Sequence, residues 1–302
     1  MRGLAIVLLT LSSYVMAENP KISPPRQGFV FSSSALLVKP LLKENYFANE
    51  SSHDFGFNIS AGYMDNSGFD YILNYKHFDV ESSWNNSTAC TSGMMLIAGC
   101  GGAASTLPGR ELAGNVSYDL SYDALGFQIG KDFPLSQSVT MNFFGGLRYL
   151  EIDENYTSIL LPTTSQQTLN EGLFHLQGVG LRAGIAPTYT ALDGDLRFFS
   201  NVSGSYIAAN IRGGTTRTTA NLYAIDASVG IGYLLHTAIG GLDIKVGYEY
   251  ENFDLSGSGN YQLEYEGHDG VYGSLEYILD DKGLVFDSEG NSYQLDGGYS
   301  WS

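Results

Sequence analysis

The side chains with the most reactive potential in this sequence are five histidines, at positions 53, 77, 175, 236 and 268, and two cysteines, Cys90 and Cys100. Nucleophilic hydrolysis needs a Ser or Thr beside a His that a third polar group orients. No local pattern assembles such a set, and His268-Asp269 is only a two-residue match to an acid–base pair. Gly178-x-Gly180 lacks the third glycine of a dinucleotide fingerprint and sits inside an alternating run, where its glycines relieve crowding. The cysteines have no further Cys or His near enough to complete a zinc site. In an oxidising compartment they are candidates for closing a small loop, with cross-linking to another chain and free thiols as the alternatives. These residues predict no enzyme, and no catalytic, metal-binding or cofactor-binding residues.

A second kind of chemistry is electrostatic. Arg148, Arg182 and Lys245, together with Asp119, Asp226, Glu249 and Glu251, stand on the polar sides of runs that otherwise alternate apolar and polar residues. Facing rings of opposite charge would set a transverse field across a water-filled passage. The competing reading is a set of salt bridges on neighbouring strands that plugs a narrow one.

The elements that must position these residues are strands. Phe55, Phe57, Ile59, Ala61 and Tyr63 alternate with Asp54, Gly56, Asn58, Ser60 and Gly62; after Asp65-Asn66-Ser67-Gly68, Phe69, Tyr71, Leu73 and Tyr75 continue the pattern, which predicts a hairpin. Val116, Tyr118, Leu120 and Tyr122 alternate with polar residues until the phase slips at Ala124-Leu125, which predicts a β-bulge. With Gly28 to Lys39 as the first, ten such strands are predicted, with eight or twelve as alternatives. Residues 292–301 also alternate, but 284–287 is too short to supply a spanning partner, so 280–302 is expected to fold back as a tail.

The predicted connections alternate between long and short, with long ones after the first and third strands and at 154–173, 209–219 and 255–268. Long loops gathered at one end and tight turns at the other predict an all-β, antiparallel up-and-down transmembrane barrel. Its apolar faces meet lipid and its Gly-, Ser- and charge-rich faces a wet lumen. Aromatic pairs such as Tyr71 with Tyr75, Tyr118 with Tyr122 and Tyr248 with Tyr250 are expected at the membrane interfaces.

Residues 1–17 read as a cleavable signal peptide, with Arg2, the apolar run Leu4 to Leu11, and Val15-Met16-Ala17 before Glu18; residues 18–302 are the exported barrel. Localisation in a bacterial outer membrane follows. A formal net charge of -17 without a basic cluster argues against nucleic-acid binding. Outer-membrane lipid and small hydrophilic solutes are the expected partners, with a homo-oligomer and a host surface as further ones.

The run Phe143-Phe144-Gly145-Gly146-Leu147-Arg148-Tyr149-Leu150-Glu151-Ile152-Asp153, the segment Gly178-Val179-Gly180-Leu181-Arg182-Ala183-Gly184, and Gly247-Tyr248-Glu249-Tyr250 resemble the Legionella major outer membrane protein family. The resemblance spans roughly residues 28–279. It implies a porin-like channel for passive diffusion, in a family whose members can be disulfide-linked in the envelope and can take part in host-cell contact. A structural or adhesive surface barrel is the alternative. The chain departs from the expected pattern in its longer tail and in ending Trp301-Ser302, where a terminal aromatic is usual.

Overall fold

The structure, a computed structural model, describes residues 28–42, 53–65, 67–86, 113–136, 138–161, 168–191, 195–213, 216–237, 240–256, 265–280, 284–286 and 292–294. Ten antiparallel strands close into one barrel: β1 (Gly28–Leu42), β2 (Asp54–Met64), β3 (Phe69–Asn86), β4 (Ala113–Pro134), β5 (Val139–Leu161), β6 (Thr168–Ala191), β7 (Leu196–Gly213), β8 (Thr216–Thr237), β9 (Gly240–Ser256) and β10 (Tyr265–Asp280). Each strand pairs with its sequence neighbours, and β10 returns to β1 from Gly28↔Asp280 to Leu42↔Tyr265. Closure leaves no row of backbone groups unpaired at an edge. In the tail, β11 (Leu284–Phe286) and β12 (Ser292–Gln294) form a separate two-stranded sheet and add nothing to the wall. The expected signal segment and both cysteines lie outside the described residues.

Four connections at one end are tight: 65–68, 135–138, 192–195 and 238–239. In the first, Asp65 Oδ1 accepts from the backbone N–H groups of Ser67 (2.8 Å) and Phe69 (2.9 Å), and Gly68 adopts φ 79°, which favours glycine. The other end carries 43–53, 87–112, 162–167 and 257–264. It also carries a two-residue link, 214–215, where the sequence reading placed a long loop at 209–219. β7 and β8 run on through that segment because Ile207 and Ala209 face Leu222 and Ala220, and Ile211 and Ala224 are buried in the same apolar layer.

No bulge interrupts β4, which keeps register with β3 and β5 through Ala124-Leu125. The phase slip in the sequence has another cause. From Leu125 to Ile129 the outward positions are apolar, with Lys131 beyond them lying over the Phe69 and Phe133 rings; from Ala124 back to Tyr118 the inward positions are apolar. Strand β5 does the same, with Phe143, Leu147 and Tyr149 outside, then Leu150 and Ile152 inside beneath outward Glu151 and Asp153. The short-turn part of the barrel is apolar outside, and the long-connection part is built like a water-soluble barrel. Tyr75 and Tyr248 donate to outward Asp123 and Asp269, and Tyr149 to Glu151 at 2.6 Å, marking the border on three strands. Their rings lie on the apolar side and their hydroxyls on the polar side, the usual arrangement of an interfacial girdle. Tyr118 and Tyr122, expected in such a girdle, are instead buried inside.

Candidate functional site: the lumen

Side chains alternate across a strand, so one face of every strand shares the barrel interior. Of the seven ionisable residues predicted to line it, six point inward: Arg148 on β5, Arg182 on β6, Asp226 on β8, and Lys245, Glu249 and Glu251 on β9. Asp119 is exposed on the outer wall, because β4 does not bulge and its inward phase belongs to Tyr118, Leu120 and Tyr122.

The six inward residues are ion-paired; Arg148 and Glu249 each pair across the lumen, whereas Lys245 pairs with Glu276 on neighbouring β10. Arg148 Nη1 donates to both carboxylate oxygens of Asp226 (3.1 and 3.2 Å), while its Nη2 reaches Glu251 and the Tyr122 hydroxyl (2.6 Å). Tyr122 in turn donates to Glu251 Oε2 at 3.0 Å. Arg182 donates to Ser203 Oγ from Nε (3.0 Å) and Nη2 (2.9 Å), and Ser203 passes a hydrogen bond to Asp226 Oδ2 at 3.0 Å. Strands β5 and β9 are four places apart in the closed order, so a guanidinium bonded to a carboxylate between them stands in the middle of the passage.

Sequence reasoning missed the second half of this network. Lys76 on β3 bonds Glu249 Oε1 at 2.5 Å and lies 2.7 Å from His268 Nε2. An ammonium only donates, so His268 Nε2 accepts and its ring proton is on Nδ1. His268 is fully buried, with its ring edge-on to Phe78 and Tyr122. Adjacent Asp269 points to the opposite face and holds Tyr248, so the two cannot act as a dyad. Toward the short-turn end, Lys245 bonds Glu276 at 2.8 Å, and buried Asp243 lies 3.0 Å from Arg197 and 3.7 Å from Lys245. Lys76 stood on the polar side of its predicted strand, which was the available signal. The partnership with β9 had none, since it depends on closure.

Beyond the charges, toward the long-connection end, the interior is apolar. Val38, Phe78, Val80, Tyr122, Leu150, Ile152, Leu176 and Leu222 each have 0 % of their surface accessible, and Leu36, Leu120, Ile207 and Phe253 have 5 % or less. Phe78 and Tyr122 stack at 4.5 Å between centroids. Among the described residues, Glu154 is the one carboxylate that enters this layer, and it accepts from Tyr118 at 3.1 Å. Toward the short turns, by contrast, Ser32, Ser34, Asn58, Asn74, Lys245 and Glu276 keep partial exposure. The interior is a half-wet vestibule capped by a charge network and then by an apolar seal.

The outer wall above the tyrosines carries ligand-type residues as well. Glu151, Asp153 and His175 bring one ligand atom each within 4.8 Å of one another, through the register pair Asp153↔His175. Their outward carboxylate–imidazole bond of 2.6 Å accounts for the arrangement without an ion.

Among solved structures, Neisserial surface protein A is similar over 83 % of this chain and 97 % of its own, at 11 % identity and a TM-score of 0.36. The outer membrane protease OmpT of Escherichia coli is similar over 86 % and 99 %, at 10 % identity and 0.39. The translocator domain of autotransporter NalP from Neisseria meningitidis is similar over 90 % and 94 %, at 10 % identity and 0.41. No curated protein sequence matches. The family described as Legionella pneumophila major outer membrane protein precursor matches residues 23–254. That span runs from before β1 to near the end of β9 and contains all but the last wall strand, so this closed ten-strand barrel belongs to the Legionella major outer membrane protein family and to the outer membrane.

Proposed function

We propose that the chain is a surface barrel of the outer membrane, anchored in lipid by its apolar belt and closed to passive diffusion, which holds its long connections clear of the membrane for contact with a host or partner surface. The observation that carries this reading is the seal. Inward side chains from β1, β3, β4, β5, β6, β7, β8 and β10, including Val38, Phe78, Tyr122, Leu150, Leu176, Ile207, Leu222 and His268, have essentially no accessible surface. A solute path needs wetted walls at every height, and this layer has none.

Porin-type passage of small hydrophilic solutes or ions is the second reading, favoured by the six charged groups aimed into the vestibule. It requires the apolar seal to open. Planar-bilayer recording of the refolded full chain separates the two. A silent bilayer with verified incorporation is expected, whereas reproducible conductance steps from the unmodified protein would overturn the closed barrel in favour of the channel.

A further inference from the structure

The outer wall above the tyrosine border is not uniform in charge. Strands β3 to β5 present Asp79, Glu81, Asp119, Asp123, Glu151 and Asp153 outward; β7 and β8 present Arg212 and Arg217. These two arginines are direct register partners, both exposed, and neither forms an ion pair among the described residues. Like charges placed directly opposite each other on paired strands repel. The next outward position in the same row is His175, paired with Arg212. An arrangement that costs stability on its own is relieved by an anion shared between the two guanidiniums, and a phosphate matches their planar donors.

What lies beneath identifies the kind of anion. Descending the same strands, the outward residues pass from Arg212 and Arg217 to Asn210 and Thr219, then Asn221, then to the pair Tyr206 and Tyr223, where the Tyr206 hydroxyl donates to Asn221 Oδ1 at 3.0 Å. Below the tyrosines the wall is indented by a depression of about 580 Å³, with Leu181, Ala183, Gly204 and Ile225 along it. Its floor is low because Ala183 pairs with both Gly145 and Gly204, three outward positions in a row with at most a methyl group. From Tyr206 to Arg212 is about 20 Å along the strand, or roughly 15 Å in height at the usual tilt. That is a span for a saccharide between an acyl chain and a phosphate.

We infer that the outer face of β6–β8 binds a phosphorylated glycolipid of the outer leaflet, with an acyl chain along the Ala183–Gly204 depression, sugar hydroxyls against Asn210, Thr219 and Asn221, and phosphate on Arg212 and Arg217. Charge disfavours a second copy of the chain packed two-fold on this face, because that pairing would bring the same positive charges together, whereas a phosphate complements them.

The test is a binding titration of the full-length barrel in nanodiscs of zwitterionic phospholipid, with rough lipopolysaccharide as probe. Binding to the unmodified barrel is expected, weakened at least tenfold by R212Q/R217Q and intermediate in R212K/R217K, which keeps the charge and loses the planar donors. Filling the depression with A183F/G204L should weaken it independently. Both positions face lipid, and heat-modifiable migration on gels checks that each variant barrel is closed. Equal binding of dephosphorylated lipopolysaccharide, unchanged affinity in R212Q/R217Q, or full competition by millimolar inorganic phosphate would each overturn the proposal. The first two would remove the phosphate contact, and the third would reduce the site to a phosphate site without a lipid. None of these outcomes bears on conductance.

Discussion

Arg148 gathers two ion pairs and a phenol hydrogen bond on one buried guanidinium. It is 4 % exposed, stands between Asp226 and Glu251 and is further bonded to Tyr122. Burying such a group costs several kcal/mol of solvation, which is offset only while every partner is in place. Arg148→Met removes the cation and leaves two carboxylates facing one another, with Arg182 still 3.6 Å from Asp226. A loss of about 3–5 kcal/mol is expected, read as a lower midpoint for urea unfolding in detergent micelles. The triple variant R148M/D226N/E251Q removes the charges together and should recover much of that loss. A triple variant no better than the single one would mean that Arg148 acts through packing rather than pairing.

At the scale of strands, existence and number were readable because the alternation is strong: ten strands and the tight turn at 65–68 both follow from patterns of residues. Which face points inward was readable only where lipid is the outer solvent. The rule that apolar faces meet lipid places Arg148 and Glu249 correctly and misplaces Asp119, since on the upper part of β4 water is outside and Tyr118, Leu120 and Tyr122 turn inward. The same change of solvent imitates a bulge at Ala124-Leu125. Cross-lumen pairs such as Lys76 with Glu249 had no local signal, because they join strands four places apart in the closed order.

Lumen glycines could be recognised as space-makers from sequence, and the structure supplies their partners. Phe144 faces Gly184, Phe199 faces Gly230 and Tyr272 faces Gly247, so each large ring lies over a position with no side chain. Gly180 is more constrained, since a Cβ there would stand 1.9 Å from the carbonyl oxygen of Tyr206 on β7. Gly180→Val must therefore push β6 from β7, at a cost of about 1–3 kcal/mol or more. The expected result is a reduced fraction of heat-modifiable, folded barrel after refolding, while Gly273→Val, at an outward position with open space around its Cβ, should refold like the parent. Equal yields for both would show that the wall relaxes around Gly180 at little cost.

For the whole molecule, the controlling fact is that one barrel is immersed in two solvents along its axis. In lipid, the outside supplies no hydrogen bonds, so charges turn inward and pair there; above lipid, water covers the outside and the interior becomes an ordinary apolar core. The core performs two tasks, holding the protruding strands together and blocking the lumen. Those tasks can be separated by removing volume without removing strands. Phe78→Ala with Leu150→Ala and Ile152→Ala deletes three fully buried side chains on β3 and β5. Each deletion costs about 2–5 kcal/mol, while the closed backbone ladder is left intact. In liposomes loaded with a small sugar, the parent should retain its cargo and the triple variant should leak, with folding checked by gel migration. A folded triple variant that retains sugar as well as the parent would move the barrier down to the charge network. In that case combining R148M/D226N/E251Q with the three alanines should leak more than either triple variant alone, because it thins both layers while Lys76–Glu249 still spans the lumen.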